Sequence, residues 1–270
     1  MTGGFGQLGR QVRRAFAEHG FEIVDPVLDI PDHDITDPAI LATIAAIRPD
    51  LIVHTAAMTD VDGCARDPDA AYRQNALGTR NIALAARKVG AVVVAISTNE
   101  VFSGTAGEPY DEFATPDPIN PYGRSKAAGE AFIRHLAPES YLVRTAWLFG
   151  PGGNHFVGKI LARAQTGTVA VVADEVGSPT YAPDLAEALV ALVGTGAFGV
   201  YHLVNEGIAS RLELARAVVE AAGLDVPVTP TCLADWPRPS QVPPYTPLRN
   251  FVGAQLGIRL RPGVRRSSPI

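Results

Sequence analysis

Tyr122 and Lys126, in Asn120-Pro121-Tyr122-Gly123-Arg124-Ser125-Lys126, are the two residues in this chain whose types and spacing best suit the movement of a proton. Lysine is scarce, three in 270 residues, so its place near a tyrosine carries information. Proline favours the first turn of a helix, and residues four apart share a helix face, so the phenol and the ammonium can enter one pocket. An ammonium beside a phenol favours phenolate, which predicts a tyrosine pKa drawn from its ordinary value of about 10 toward neutrality, as a general acid/base needs. An exposed tyrosine and lysine on a helix surface would have the same spacing, so the rest of the chain must decide.

A second cluster opens the chain: Met1-Thr2-Gly3-Gly4-Phe5-Gly6-Gln7-Leu8-Gly9. This Gly-x-x-Gly-x-x-Gly run leads into Leu8, Val12, Ala15 and Phe16, spaced as one apolar helix face. Glycines so placed let the backbone approach a pyrophosphate at a helix N-terminus. A glycine triplet alone is often only a turn, and a preceding strand is its usual companion. No apolar run precedes Thr2, so the expectation is that the first strand of the sheet, about five residues long, lies upstream of the given sequence.

The chain's 47% hydrophobic content is enough to bury a full core as one large or two smaller domains. A formal net charge of −5 argues against a nucleic-acid partner, which calls for a basic face. Cys64 and Cys232 lack paired spacing, so neither a disulfide framework nor a zinc or other metal site is expected, and a reducing cytoplasm is the simplest compartment. No apolar stretch reaches membrane-spanning length, and no signal-peptide pattern opens the chain, so no membrane partner is predicted.

The elements that would position these clusters alternate. Helix is expected over 7–19, strand over 22–24, helix over 38–47, strand over 51–54, and a long helix between Pro68 and Val89 closed by Gly90. Residues 91–96, Ala-Val-Val-Val-Ala-Ile, read as a parallel strand buried on both faces. A helix from Tyr122, a strand over 141–143 and helices over 156–165 and 184–193 continue the pattern. The fold class is α/β, a doubly wound parallel sheet. Residues 1–150 would form the dinucleotide-binding part, with part of 175–205 returning to it, and 151–270 a smaller ligand-covering region.

Ligands of such sheets sit beyond the carboxyl ends of the strands. Asp29, twenty residues past Gly9, stands where a ribose-binding acid is expected, with Asp25 as the competing choice. Ala56 and Ala57 follow a strand and are small enough for a cofactor to lie flat against them. Ser97, Thr98 and Asn99 place a hydroxyl at the end of the buried strand beside Tyr122; a strand-end hydroxyl capping its own backbone is the lesser alternative for Thr98.

Taken in order, the loop from Thr2 to Gly9, Asp34-Ile35-Thr36-Asp37, Ala56-Ala57, Ser97-Thr98, Tyr122 with Lys126, Arg144-Thr145-Ala146-Trp147 and Gly177-Ser178-Pro179-Thr180 resemble the extended short-chain dehydrogenase/reductases, and among them the dTDP-4-dehydrorhamnose reductase family. The likeness runs from Thr2 to about Asp184 and weakens beyond. It implies a Rossmann-like domain with a small sugar-nucleotide-binding region, NADPH or NADH as cofactor, and reduction of the C4 keto group of dTDP-4-dehydro-6-deoxy-L-mannose to dTDP-L-rhamnose. The implied partner is a sugar nucleotide, and the resemblance leaves room for a homodimer.

Carried over residue by residue, Thr98, Tyr122 and Lys126 match the family's catalytic Ser/Thr, Tyr and Lys, with Lys126 also holding the nicotinamide ribose beside Tyr122. Gly3, Gly6, Gln7, Leu8 and Gly9 match its phosphate loop, and Asp34 and Ile35 the pair flanking adenine; Asp34 reads equally well as a helix N-cap. Asn75 matches an asparagine that supports the active site. Asn99, Trp147, Asn154 and Phe156 fall near the sugar nucleotide, and Arg238 is a candidate for its diphosphate. The chain departs from the family at Asn99-Glu100, where Asp-Tyr is common, and in the tail after Pro262. Two rival readings are an NAD-dependent sugar-nucleotide epimerase or dehydratase and a non-catalytic nucleotide-binding regulatory subunit.

Overall fold

A computed structural model describes residues 1–24, 27–152 and 155–263. Four parallel strands, β1 (Leu51–His54), β2 (Val92–Thr98), β3 (Ser140–Thr145) and β4 (Gly199–His202), pair in the order β1-β2-β3-β4. Thr2 forms a parallel bridge with His54 on one side and Leu28 on the other. The strand positions therefore run outward in both directions from Thr2. This reversal opens a crevice at the strand ends, where doubly wound sheets bind their ligands.

Successive strand residues point to opposite faces, and both faces here are apolar. Val53, Val94, Tyr141 and Val143 pack with Leu8, Val12 and Phe16 of α1 (Gln7–Glu18) and with Leu185 and Leu189 of Ala182–Val193. Ile52, Val93, Ala95 and Leu142 pack on the other face, against Ile40 and Ile44 of α2 (Ala39–Ile47), Ile82 of α3 (Thr79–Val89) and Ile133 of α4 (Pro121–Leu136). A separate apolar cluster joins Ile160 of Phe156–Ala164, Val169 and Val171, and Leu212, Ala215 and Val219 of Arg211–Ala221. Among the described residues no helix is long and apolar enough to cross a membrane.

Two expected elements differ. Residues 22–24 form no strand; the pairing in this region falls at Leu28, because the main-chain N–H of Leu28 donates to Met1 O and that of Gly3 to Leu28 O. The long helix after Pro68 exists, but Tyr72–Gly78 within it is π-helical. Such a bulge re-aims side chains within a helix and is common at functional sites. Here Asn75 is turned inward, and Gly129 of α4 approaches its carbonyl so closely that a Cβ would lie 2.5 Å from the oxygen.

Behind the crevice lies a buried ion pair. Glu130 of α4 accepts two hydrogen bonds from Arg144 of β3, Nε to Oε1 at 2.9 Å and Nη2 to Oε2 at 2.7 Å, and a third from Ser97 Oγ at 2.6 Å. Arg144 is 1% exposed. Burial, and then the Arg144 charge, push the neighbouring His202 down to about 3, so it stays neutral. Removing one partner of such a pair strands the other charge in the core. Glu130→Ala should therefore cost roughly 3–5 kcal/mol, read as a fall in the urea unfolding free energy; an unchanged value would show that the pair does not hold α4 to the sheet.

Candidate active site

The glycine loop links the bridge at Thr2 to the start of α1. Gly3 has φ 67, and a Cβ there would lie 2.5 Å from the Ala56 nitrogen. At Gly9 a Cβ would collide with the Gly3 carbonyl. Glycine is required at both places because backbone meets backbone, and no side-chain rotamer can relieve the contact. Gly6 caps α1 without a side chain, so the first amides of the helix face the crevice with the positive end of its dipole.

Gly3, Gly6, Gln7, Leu8, Gly9, Asp29, Asp34, Ile35, Ala56 and Ala57 all line one cavity of about 480 Å³. Asp29 Oδ2 accepts from the Phe5 amide and Oδ1 from the Ile30 amide, both at 2.9 Å, which ties the acid to the glycine loop. Asp34 caps a turn through the Thr36 amide at 2.8 Å; α2 starts later, and Asp37 holds the amide of its first residue, Ala39. Asp34 is thus a local cap and a cavity residue at once. Asp25 lies outside the described residues.

Thr98, Asn99, Tyr122, Lys126 and Trp147 line the same cavity. Thr98 Oγ1 accepts from the Glu100 amide at 3.2 Å, so the capping role is real and coexists with exposure of this residue to the crevice. Asn120 caps α4 by accepting from the Gly123 amide at 2.8 Å. Asn75 accepts from the Met58 amide and donates to Ser125 Oγ at 3.0 Å, and Ser125 Oγ donates to Tyr122 O at 2.7 Å. The first turn of α4, which carries Tyr122, is thereby fixed from both ends.

The electrostatics of the pair differ from the sequence expectation. Burial pushes the Tyr122 phenol above its ordinary value, with Thr98 acting in the opposite sense and the Glu100 carboxyl adding to the rise. Lys126 Nζ donates to the Ile96 carbonyl at 2.7 Å, and burial draws its pKa down to about 8, opposed by Glu130. Desolvation of the phenol outweighs any pull toward phenolate. The phenol holds its proton at neutral pH.

Trp147 sits at φ 44, a left-handed backbone that costs a bulky residue about 1–3 kcal/mol. Its ring packs where Gly177 lacks a side chain; a Cβ there would lie 2.5 Å from the indole. The Arg211 guanidinium lies 3.5 Å from the Trp147 ring centroid and 4.9 Å from that of Phe156, and its Nη2 is 2.9 Å from Glu175 Oε1. Arg211 lines the cavity, whereas Phe156 and Arg238 are not among the lining residues. Phe156 packs with the separate apolar cluster, and Arg238 is paired with Asp62 at 2.9 Å. Asn154 lies outside the described residues. Glu100, named in the sequence as part of the departure from the family's Asp-Tyr, lines the cavity too. Sequence reasoning missed Arg211; it follows Ser210 at a helix start far along the chain, and nothing local marks it as facing the crevice.

A family model described as the RmlD substrate binding domain matches residues 1–262. A dTDP-4-dehydrorhamnose reductase of Mycobacterium tuberculosis (strain ATCC 25618 / H37Rv) is 40% identical over 96% of this chain and 86% of its own length. The chain belongs to the dTDP-4-dehydrorhamnose reductase family. The spore coat polysaccharide biosynthesis protein SpsK of Bacillus subtilis is 36% identical over 97% of this chain and 92% of its own. The crystal structure of the dTDP-4-dehydrorhamnose reductase of Bacillus anthracis in complex with NADP superimposes with a TM-score of 0.93 at 38% identity, covering 97% of this chain and 93% of that one.

Within the family frame, the contact most specific to the site is that of α4 with the end of β2. A Cβ on Gly123 would collide with the Glu100 carbonyl oxygen, backbone against backbone. Gly123→Ala should lower stability by about 1–3 kcal/mol, seen as an earlier urea midpoint. A midpoint equal to that of the unaltered protein would show that the helix does not rest there.

Proposed function

We propose that this cavity binds NADPH or NADH and reduces the C4 keto group of dTDP-4-dehydro-6-deoxy-L-mannose to dTDP-L-rhamnose, the reaction of dTDP-rhamnose biosynthesis. One observation carries the reading: Thr98, Tyr122 and Lys126 meet in the same cavity as the glycine loop at the start of α1. The residues fit a dinucleotide. Gln7 Nε2 and Thr145 Oγ1, both on cavity-lining residues, are buried without a hydrogen-bond partner among the described residues, as groups awaiting a polar ligand would be.

Gly3, Gly6, Gln7, Leu8 and Gly9 would receive the pyrophosphate, Asp29 the adenosine ribose, Asp34 and Ile35 the adenine side, and Ala56 and Ala57 the flat face of the cofactor. When bound, the reduced nicotinamide supplies hydride to the carbonyl carbon. Thr98 would orient and polarise the carbonyl by donating a hydrogen bond to its oxygen. As charge builds on that oxygen, Tyr122 would deliver the proton it retains at neutral pH. Lys126, shifted to about 8 and still largely ammonium at pH 7, would hold the nicotinamide ribose and stabilise the phenolate left behind. Asn99 and Trp147 would border the sugar. Both arginines are paired with a carboxylate, but Arg211 lines the cavity and Arg238 does not, so Arg211 is the better-placed cation for the diphosphate. The region after residue 150 would cover the sugar nucleotide, the compartment would be the cytoplasm, and a second copy of the chain is the protein partner this reading allows.

Mixing the protein with dTDP-4-dehydrorhamnose and NADPH should oxidise the cofactor stoichiometrically, followed by its absorbance. Tyr122→Phe should lower turnover by about 10²- to 10⁴-fold while NADPH binding persists. Lack of cofactor oxidation by the unaltered protein would favour an epimerase, a dehydratase or a regulatory subunit instead.

A further inference from the structure

Glu100 lines the cavity one residue beyond Asn99, and the proton transfer assigned to Tyr122 leaves it without a task. It is held with unusual rigidity. Asn120 Nδ2 donates to Glu100 Oε2 at 2.6 Å, and the same Asn120 caps α4 through Oδ1, so one side chain locks the carboxyl to the helix that carries Tyr122. The Glu100 amide is fixed to Thr98 Oγ1, and its carbonyl lies under Gly123. Oε1 receives no hydrogen bond among the described residues.

The surroundings do not neutralise this carboxyl. Arg211 is paired with Glu175, and Arg238 with Asp62. Burial dominates and pushes Glu100 up to about 7; Asn120 pulls it back, Glu175 adds to the rise, and Arg211 and Arg238 oppose it. Glu100 in turn raises the phenol of Tyr122 and the thiol of Cys64. A carboxylate that burial makes costly is stabilised by a hydroxyl donated to its open oxygen, because hydrogen bonds to charged groups are the strong ones.

Building on the reductase reading above, we propose that Glu100 is a specificity-determining residue whose free oxygen receives the hydroxyl on the sugar carbon beside the carbonyl, so that the site selects keto-sugars hydroxylated at that carbon. In a 6-deoxy-4-keto sugar, the carbon on one side of the carbonyl is C5, which carries the methyl group and the ring oxygen. C3, on the other side, carries the hydroxyl. With Thr98 bonded to the carbonyl oxygen and the Glu100 backbone fixed to Thr98, the next hydroxyl along the ring falls to the Glu100 side chain. A glutamate here also accounts for the departure from the common Asp-Tyr: it puts an acceptor where the family commonly has a phenol.

The test compares kcat/KM for dTDP-4-dehydro-6-deoxy-L-mannose and its 3-deoxy analogue, with NADPH, in the unaltered protein, in Glu100→Gln and in Glu100→Ala. The unaltered protein should favour the hydroxylated sugar by roughly 10- to 150-fold, the worth of a hydrogen bond to a charged group. Glutamine can still accept from Asn120 through its carbonyl and then presents an NH₂ donor, which the C3 hydroxyl can accept only as a neutral hydrogen bond; the preference should fall to about tenfold or less in Glu100→Gln and toward unity in Glu100→Ala, mainly through KM, with NADPH binding retained. The acid limb of kcat/KM, lost as pH falls through about 7 in the unaltered protein, should vanish in Glu100→Gln. An undiminished preference in Glu100→Gln, or none in the unaltered protein, overturns the proposal. If Glu100→Ala fails to bind NADPH, the same ratio measured in Glu100→Gln decides the matter. Failure of the unaltered protein to oxidise NADPH with either sugar refutes the reductase reading itself, and the proposal with it.

Discussion

The seat of α4 on the carboxyl end of β2 is the constraint from which the rest of the site follows. Three independent contacts define it. The Gly123 backbone lies on the Glu100 carbonyl, Asn120 joins the helix cap to the Glu100 carboxyl, and Lys126 Nζ reaches the Ile96 carbonyl. Each spans from helix to strand end, so the register between Thr98 on the strand and Tyr122 on the helix cannot slide. The roles proposed for Tyr122 as proton donor and Thr98 as carbonyl-orienting hydroxyl would need that fixed relation, because misplacement by an ångström can cost a large part of the rate.

This seat requires charge to be buried, and the structure balances that burial away from the reacting groups. Glu130, which does not line the cavity, is neutralised by Arg144 and still favours the ammonium form of Lys126 against desolvation. The phenol has no comparable support and stays protonated. On the reductase reading proposed above, in which the site gives a proton to a new alkoxide, this would be the useful asymmetry: the donor is loaded, and the neighbouring cation could stabilise the anion it leaves. The expectation that the ammonium would draw the phenol toward neutrality treated the pair as if it stood in water. Burial of the phenol reverses the balance, because desolvation penalises the phenolate more than Thr98 compensates.

Much of the fold was legible because its signals are local and periodic. The run over residues 91–96 appears as a strand buried on both faces, and the Leu8, Val12 and Phe16 face appears as the buried side of α1. The loop and the Tyr-Lys pair were legible because glycine spacing and helical spacing are written in consecutive residues. What failed was non-local. The strand expected over 22–24 is absent because pairing is decided by Thr2, which takes Leu28 instead. The π-helical turn at Asn75 has no sequence signature, since it arises where the helix meets Gly129 of α4. Arg238 looked suited to a phosphate by type, but its charge is already taken by Asp62, 176 residues away in sequence.

The same distinction separates the two ends of the cavity. At the cofactor end, specificity comes from backbone: Gly3 and Gly9 admit no side chain, and Asp29 is held by two amides. Backbone recognition tolerates little change, and it suits a ligand whose phosphates are always the same. At the sugar end the groups are side chains stacked or pinned by their neighbours: Trp147 on Gly177, Arg211 between Trp147 and Glu175, Glu100 on Asn120. Such groups can be exchanged one at a time without moving the strands beneath them. A single framework could thus hold one cofactor and be re-aimed at different sugars, and on the reading proposed above the Asn99-Glu100 pair, which lines the cavity beside Thr98, is where that re-aiming would cost least.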